Sequence, residues 1–201
     1  MKKISFSRFA KRPWKGQAAE GGSGVMLLIS ACFLAGAVAG AFLSLYISGD
    51  SISELVASYI ESPERPAGFF KVFWDCAKFH IFVLFMAGSV FGVVIIPAIV
   101  FLRAYLLSCT SAAIIAVYPD VGWLLALIIL GIPALVSIPC LFVLSSDAFL
   151  TSGRLLTLSI GDYRPWPGSP IYKHGFVCII LLILISLIEM LLIPTLVGLI
   201  I

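Results

Sequence analysis

Glu189 is the one carboxylate that stands inside a long apolar run of this chain, within residues 175–201. A charged side chain at the centre of a bilayer costs about 2.5–3.5 kcal/mol on insertion scales, so such residues face a bundle interior, pair with another group or serve transport. Two interpretations of Glu189 follow. It is either a neutral, hydrogen-bonded acid that contacts another helix or one station of an ion path. An ion path needs several such groups, and no second acid stands within an apolar run.

The usual sequence patterns of catalytic and metal sites do not occur. Both histidines, His80 and His174, lie at the ends of apolar segments, where neither is placed to act as the general base of a nucleophile. The HExxH motif, the Walker A loop and the Rossmann glycine fingerprint are missing from the sequence. The five cysteines lack the spacing of a disulfide framework or zinc site and are interpreted as small apolar fillers. We therefore expect no enzymatic activity, no cofactor and no metal.

Two glycine pairs have the small-xxx-small spacing that lets membrane helices approach closely. The first pair is Gly36 and Gly40, and the second is Gly88 and Gly92. Each pair places its small residues on one helix face, provided that the segment is a continuous helix. The pattern fits packing within the chain or between two copies, and it does not decide between them.

Two prolines stand six residues apart in one apolar run. Pro133 and Pro139 each lack the amide that an α-helix needs, so this helix is expected to be kinked or broken. Local packing around a kink is one interpretation. The other is a transporter-like broken helix, whose free carbonyls coordinate ions.

The elements that position these residues are apolar and long. The chain of 201 residues is 61% hydrophobic and 11% charged, far from the composition of a soluble domain. Crossing a bilayer takes about 20 apolar residues. Residues 104–118 are short enough for a re-entrant segment, but counting positive charges favours a crossing. The sequence therefore predicts an all-α, polytopic transmembrane bundle of about five spans with short interfacial helices, the spans being residues 25–47, 81–102, 104–118, 121–146 and 175–201.

Lys and Arg predict the orientation, because they concentrate in cytoplasmic loops. Residues 1–24 form a basic tail, expected to be cytoplasmic and to meet anionic lipid rather than nucleic acid. Five spans place the loop 48–80 outside and the loop 147–174 inside, with ten of the 13 basic residues on the cytoplasmic side. Arg103 then lies between two spans and is expected to reach toward the cytoplasmic headgroups.

The outside loop contains a predicted amphipathic helix. Ser51 and Glu54 have the spacing of a capping box, and apolar residues follow at helical intervals. The helix either lies on the membrane surface or presents Leu55, Val56 and Tyr59 to an extracytoplasmic partner.

The order of these features resembles the stage II sporulation protein M family over about residues 20–201. The resemblance rests on the glycine-rich FLAGAVAGAF, on FWDCAKFHIFVLFMAGSVFGVVIIPAIVFLRAY and on the proline-paired GIPALVSIPCLF. It implies a non-enzymatic scaffold in the bacterial plasma membrane that localises peptidoglycan-remodelling enzymes, similar to stage II sporulation proteins D and P, during engulfment of the forespore. The alternative is a small transporter or channel subunit that uses Glu189 and the proline-broken fourth span.

Overall fold

Five helices make up the part of the chain that the computed structural model describes, residues 15–44, 69–160 and 171–200. No strand occurs within these residues, so the predicted all-α fold is confirmed. Four helices are long and apolar enough to cross a membrane, and the remaining helix, α2, carries three charged residues within 19. The helices are α1 Lys15–Ser44, α2 Phe69–Ala87, α3 Gly92–Val117, α4 Gly122–Ser159 and α5 Ile171–Ile200.

Successive helices run in alternating directions. The turns between α2 and α3 and between α3 and α4 are four residues long and reverse the chain. Helices α1 and α3 run parallel, since Gly36 packs on Phe101 and Gly40 packs on Tyr105 one turn further along both. We call the end of the bundle at the α2–α3 turn the Ser89 end, and the end at the α3–α4 turn the Asp120 end.

The break between the second and third helices lies at residues 88–91, not at residue 103 as predicted. The amides of Gly88 and Ser89 donate to the carbonyls of Phe85 and Met86 at 3.4 and 3.0 Å, which closes α2. Gly92 then begins α3. Glycine fits this position because a Cβ there would collide with the Met86 carbonyl and with the Ser152 hydroxyl. The predicted spans 81–102 and 104–118 are therefore replaced by α2 and the single helix α3.

Charged residues explain this error in the predicted boundaries. A count of apolar residues assigns residues 69–80 to a loop, because Lys71, Asp75 and Lys78 are charged. In the structure, residues 69–80 belong to α2. Helix formation depends on backbone hydrogen bonds and packing, which tolerate charges on one face. In the same way, residues 15–24 of the predicted tail belong to α1. The helix that we expected to continue the fourth span over residues 147–160 is present as the last part of α4.

The helix is not broken at Pro133 and Pro139, because α4 stays helical from Gly122 to Ser159, and the kink expected as the alternative stays a prediction. A π-helical segment, Leu127–Gly131, precedes the prolines, and the Ile132 amide bonds to the carbonyl of Leu127, five residues back. Pro133 falls in the first turn of the following α-helical part, where a missing amide costs least. The π-helical segment thus accommodates the proline without ending the helix.

The apolar core lies where α1, α2, α3 and α4 meet. Its fully buried side chains include Ile29, Val83, Ile96, Val100 and Leu141. A second cluster surrounds Leu125 beside the α3–α4 turn, and a third joins α2 to α5. Large apolar side chains such as Leu27, Leu135 and Phe176 are exposed instead, as expected for surfaces that face lipid.

Candidate functional site

Glu189 and Arg103 lie close together in the bundle, although 86 positions separate them in the sequence. Arg103 stands in the middle of α3, about 17 Å from Gly92 along the helix at 1.5 Å per residue. The expected position at the cytoplasmic headgroups is therefore wrong. The predicted position of Arg103 followed from a predicted span that ends at residue 102, whereas α3 continues through Arg103.

Cys76 completes this part of the site from α2. Its thiol donates a hydrogen bond to Oε2 of Glu189 at 3.2 Å. Asp75, the preceding residue, is half exposed and pairs with Lys78 at 2.9 Å, and its charge acts on Arg103 from the edge of the site. One cation, two acids and a thiol from three helices thus form a cluster, which we call the Arg103 cluster: Cys76, Asp75, Arg103 and Glu189.

An aromatic ring supports the guanidinium of Arg103. The Cζ atom lies 5.0 Å from the centre of the Phe79 ring, in the range of a cation–π interaction. The Nε atom is buried and has no hydrogen-bond partner among the described residues. Attraction to Glu189 and Asp75 and the contact with Phe79 therefore compensate a charge that burial would otherwise make costly.

His80 connects α2 to α4 one turn beyond Cys76. The side chain is 1% exposed, and its Nδ1 and Nε2 atoms lie 3.1 Å from the carbonyl oxygens of Cys76 and Ser137. A neutral imidazole has one N–H, so it donates to one of these carbonyls at a time. From the sequence, His80 was weighed only as a catalytic base. The spacing of Cys76 and His80, four residues apart on one helix face, was the signal for an interior role.

Ser137 and a small cavity lie beside His80, and further buried hydroxyl groups lie along α4 and α5. The Ser186 hydroxyl donates to the Leu182 carbonyl at 2.7 Å, whereas the hydroxyls of Ser137 and Ser145 are buried without a partner among the described residues. A cavity of about 80 Å³ lies between α2, α4 and α5 beside His80. Its walls are almost wholly apolar, with Phe73, Ala77, Leu84, Leu144 and Leu182 among them.

The glycines of the predicted packing motifs have different positions. Gly36 and Gly40 contact the backbone of α3, so a Cβ on either would collide with a carbonyl oxygen of that helix. Gly88 lies in the α2–α3 turn and Gly92 begins α3, so these two do not share one helix face. The first motif therefore packs two helices of the same chain, and the second marks a turn.

A second ionisable pair lies near the Ser89 end. Nδ1 of His174, at the start of α5, is 2.5 Å from Oδ2 of Asp147 on α4. Within the described ranges, no group of three or more His, Cys, Asp or Glu residues is arranged to hold a metal ion. The predicted docking residues Leu55, Val56 and Tyr59 lie outside the described residues.

The Arg103 cluster joins three helices, α2, α3 and α5, and His80 adds the fourth, α4. Its chemistry is that of compensated charge inside an apolar bundle. Comparisons of the chain with models of protein families, with curated proteins and with solved structures find no match.

Proposed function

We propose that the protein is a membrane-embedded scaffold without enzymatic activity, which localises peptidoglycan-remodelling enzymes as the resemblance to stage II sporulation protein M implies. The observation that carries the proposal is that the interior polar groups hold helices to one another. Cys76 bonds to Glu189, and Ser152 donates to the Ser89 carbonyl at 2.6 Å. Such contacts suit a stable frame, since the first joins α2 to α5 and the second joins α4 to the α2–α3 turn.

The proposed membrane is the bacterial plasma membrane, with the Ser89 end in the cytoplasm. Along the sequence, nine of the 13 basic residues stand within residues 1–15 and 154–173, and the described ones among them include Lys15 at the start of α1 and Arg154 near the end of α4. Positive charge concentrates on the cytoplasmic side of membrane proteins, which supports this orientation. The Asp120 end and the segment 45–68 then face outward, where peptidoglycan lies.

Co-purification of wall hydrolases tests the scaffold. The full chain is tagged, extracted from the membranes of its own host in mild detergent, and assayed for bound hydrolases by zymogram and mass spectrometry. Replacing Leu55, Val56 and Tyr59 by Asn is expected to remove the hydrolases, because it destroys the apolar face of the predicted outer helix. The matched control replaces Ala57 and Ser58, on the opposite face, by Asn and is expected to keep them.

One result contradicts the scaffold, and another contradicts its proposed docking surface. One is the absence of hydrolases from the unsubstituted protein when its expression and helicity are normal. The other is equal recovery from the triple variant and its control, which would show that this face is not the docking surface.

A small transporter or channel subunit is the second candidate. The convergence of Arg103, Glu189 and His80 in one bundle favours it, because ion paths need several polar groups along one route. A liposome flux assay with the full chain tests it, with Glu189→Gln as the variant. Flux that this substitution reduces would support transport, and no flux of any tested ion by the unsubstituted chain would exclude it.

A further inference from the structure

One face of α2 points away from the bundle and has an unusual composition. Four large aromatic side chains are exposed along it, with Phe70 and Phe85 each 76% exposed and Trp74 and Phe82 about half exposed. Between them stand Asp75 and Lys78, joined by an ion pair of 2.9 Å, with 50% and 44% of their side chains exposed. Phe70, Trp74, Lys78, Phe82 and Phe85 recur every three or four positions, and Asp75 lies three residues before Lys78, so all of them share a face. We call it the α2 face: Phe70, Trp74, Asp75, Lys78, Phe82 and Phe85.

The ion pair lies at the middle depth of the bundle. Lys78 is the central residue of α2, about 14 Å from either end at 1.5 Å per residue. Its neighbour Phe79 meets Arg103, which is the twelfth of the 26 residues of α3. Since α3 is about 39 Å long and crosses from one end of the bundle to the other, Asp75 and Lys78 stand near the centre of any bilayer that α3 spans.

Lipid is a poor neighbour for this pair. Charged side chains near the centre of a bilayer are costly; they face the interior of a bundle or a water-filled cavity, or pair with one another as Asp75 and Lys78 do. The pair also stands at the edge of the Arg103 cluster, because Asp75 attracts Arg103 and Lys78 lies 5.7 Å from the Phe79 ring. A protein surface that offers opposite charges at the same depth would remove the exposed charges from lipid.

We propose that a second copy of this chain covers the α2 face, so that the protein is a two-fold symmetric dimer. In such an interface the same patch meets itself, and residue i contacts residue j in both directions. Asp75 and Lys78 differ in height by three residues, about 4.5 Å, which the long lysine side chain spans. Lys78 of each copy therefore reaches Asp75 of the other, and the exposed aromatic side chains pack above and below the two ion pairs.

The charges favour a second copy because the face is self-complementary. It has one cation and one anion, already paired within the chain, and a symmetric contact lets each of them also pair with the opposite charge of the other copy without any further charged residue. The glycine motif of α1 is not available for this purpose, since Gly36 and Gly40 pack on α3 of the same chain. The inference is independent of the proposed scaffold function, because a scaffold and a transporter alike can be dimers.

Disulfide cross-linking and a mass measurement test the dimer. The full chain is reconstituted in lipid nanodiscs, and Phe82→Cys is cross-linked by oxidation, with Phe91→Cys, exposed in the α2–α3 turn, as the control position. We expect a covalent dimer from Phe82→Cys and none from Phe91→Cys. In mild detergent, light scattering should give twice the mass of one chain.

Single substitutions should abolish the dimer and a double substitution should restore it. Lys78→Asp or Asp75→Lys places like charges opposite each other, so the cross-linked band and the doubled mass are lost. The double variant D75K/K78D restores opposite charges across the symmetric contact and recovers both signals. Asp120→Lys, at the α3–α4 turn, is the control and leaves the dimer unchanged.

Three results would overturn the proposal. The first is an unsubstituted chain that is monomeric in detergent and gives no Phe82→Cys cross-link in nanodiscs. The second is a single charge reversal that retains the dimer. The third is a double variant that retains its helicity and remains monomeric.

Discussion

At the scale of single residues, the main finding is that the polar side chains inside the bundle compensate one another. Glu189 accepts a hydrogen bond from Cys76, and its charge also acts on Arg103. His80 lies against carbonyls of two helices. The sequence located Glu189 in an apolar run but could not supply its partners, because they come from helices far away along the chain.

Arg103 and Glu189 should be energetically coupled. Arg103→Met removes the cation that attracts Glu189, and Glu189→Gln keeps a hydrogen-bond acceptor for Cys76 but removes the charge. We expect each substitution to destabilise the protein and the double variant to lose less than the sum, with a coupling of about 0.5–3 kcal/mol. Unfolding in mixed micelles, followed by circular dichroism, measures the free energy of each variant.

A distant pair provides the control for this coupling. Thr157→Val removes an exposed hydroxyl that donates to the Arg154 carbonyl within α4, away from the cluster. Its effect should add to that of Arg103→Met within about 0.5 kcal/mol. Equal additivity for Arg103→Met and Glu189→Gln would mean that the two charges do not interact.

At the scale of the elements, close packing of α1 on α3 is the strongest constraint. Gly36 and Gly40 let the two backbones touch, which is the first of the two alternatives that the small-residue motif left open, packing within the chain. The helical hairpin of α2 and α3 was not predicted, because its turn, Gly88-Ser89-Val90-Phe91, contains two large apolar residues and lies in a run without charges. Turns of this kind leave little trace in hydropathy.

A side chain at position 36 should separate α1 from α3. Gly36→Val is expected to lower the free energy of unfolding by about 1–3 kcal/mol, because overpacking forces the backbones apart. Gly24→Val, on the same helix, is the matched control, since a Cβ there meets nothing within 4 Å. Thermal unfolding of both purified variants measures their melting temperatures, and we expect the lower one for Gly36→Val. Equal melting temperatures would show that α1 does not depend on this contact.

At the scale of the whole molecule, the alternation of helices fixes which segments share an end of the bundle. The start of α1, the α2–α3 turn, the end of α4 and the start of α5 lie together, as the contacts of Ser152 with Ser89 and of His174 with Asp147 require. The structure shows which described segments lie at the Ser89 end and which lie at the Asp120 end. The distribution of basic residues supplies the proposed orientation relative to the membrane.

Cysteine labelling checks this orientation. Asp120 and Ser159 are exposed near opposite ends of α4. We expect Asp120→Cys to react with a membrane-impermeant maleimide on intact cells and Ser159→Cys to react only after permeabilisation, with the unsubstituted chain as the blank for native cysteines. The reverse pattern would place the Ser89 end outside and contradict the proposed orientation.

The sequence by itself determined that the chain is an all-α membrane bundle, because composition and the length of apolar runs depend only on local residue types. It also located Glu189 and the close-packing glycines of α1. The tertiary structure decided the rest. It placed the helix boundary at residues 88–91, kept α4 continuous through two prolines and brought Arg103, Cys76 and Glu189 together. These outcomes depend on which helices pack side by side, and that depends on contacts between residues distant in the chain.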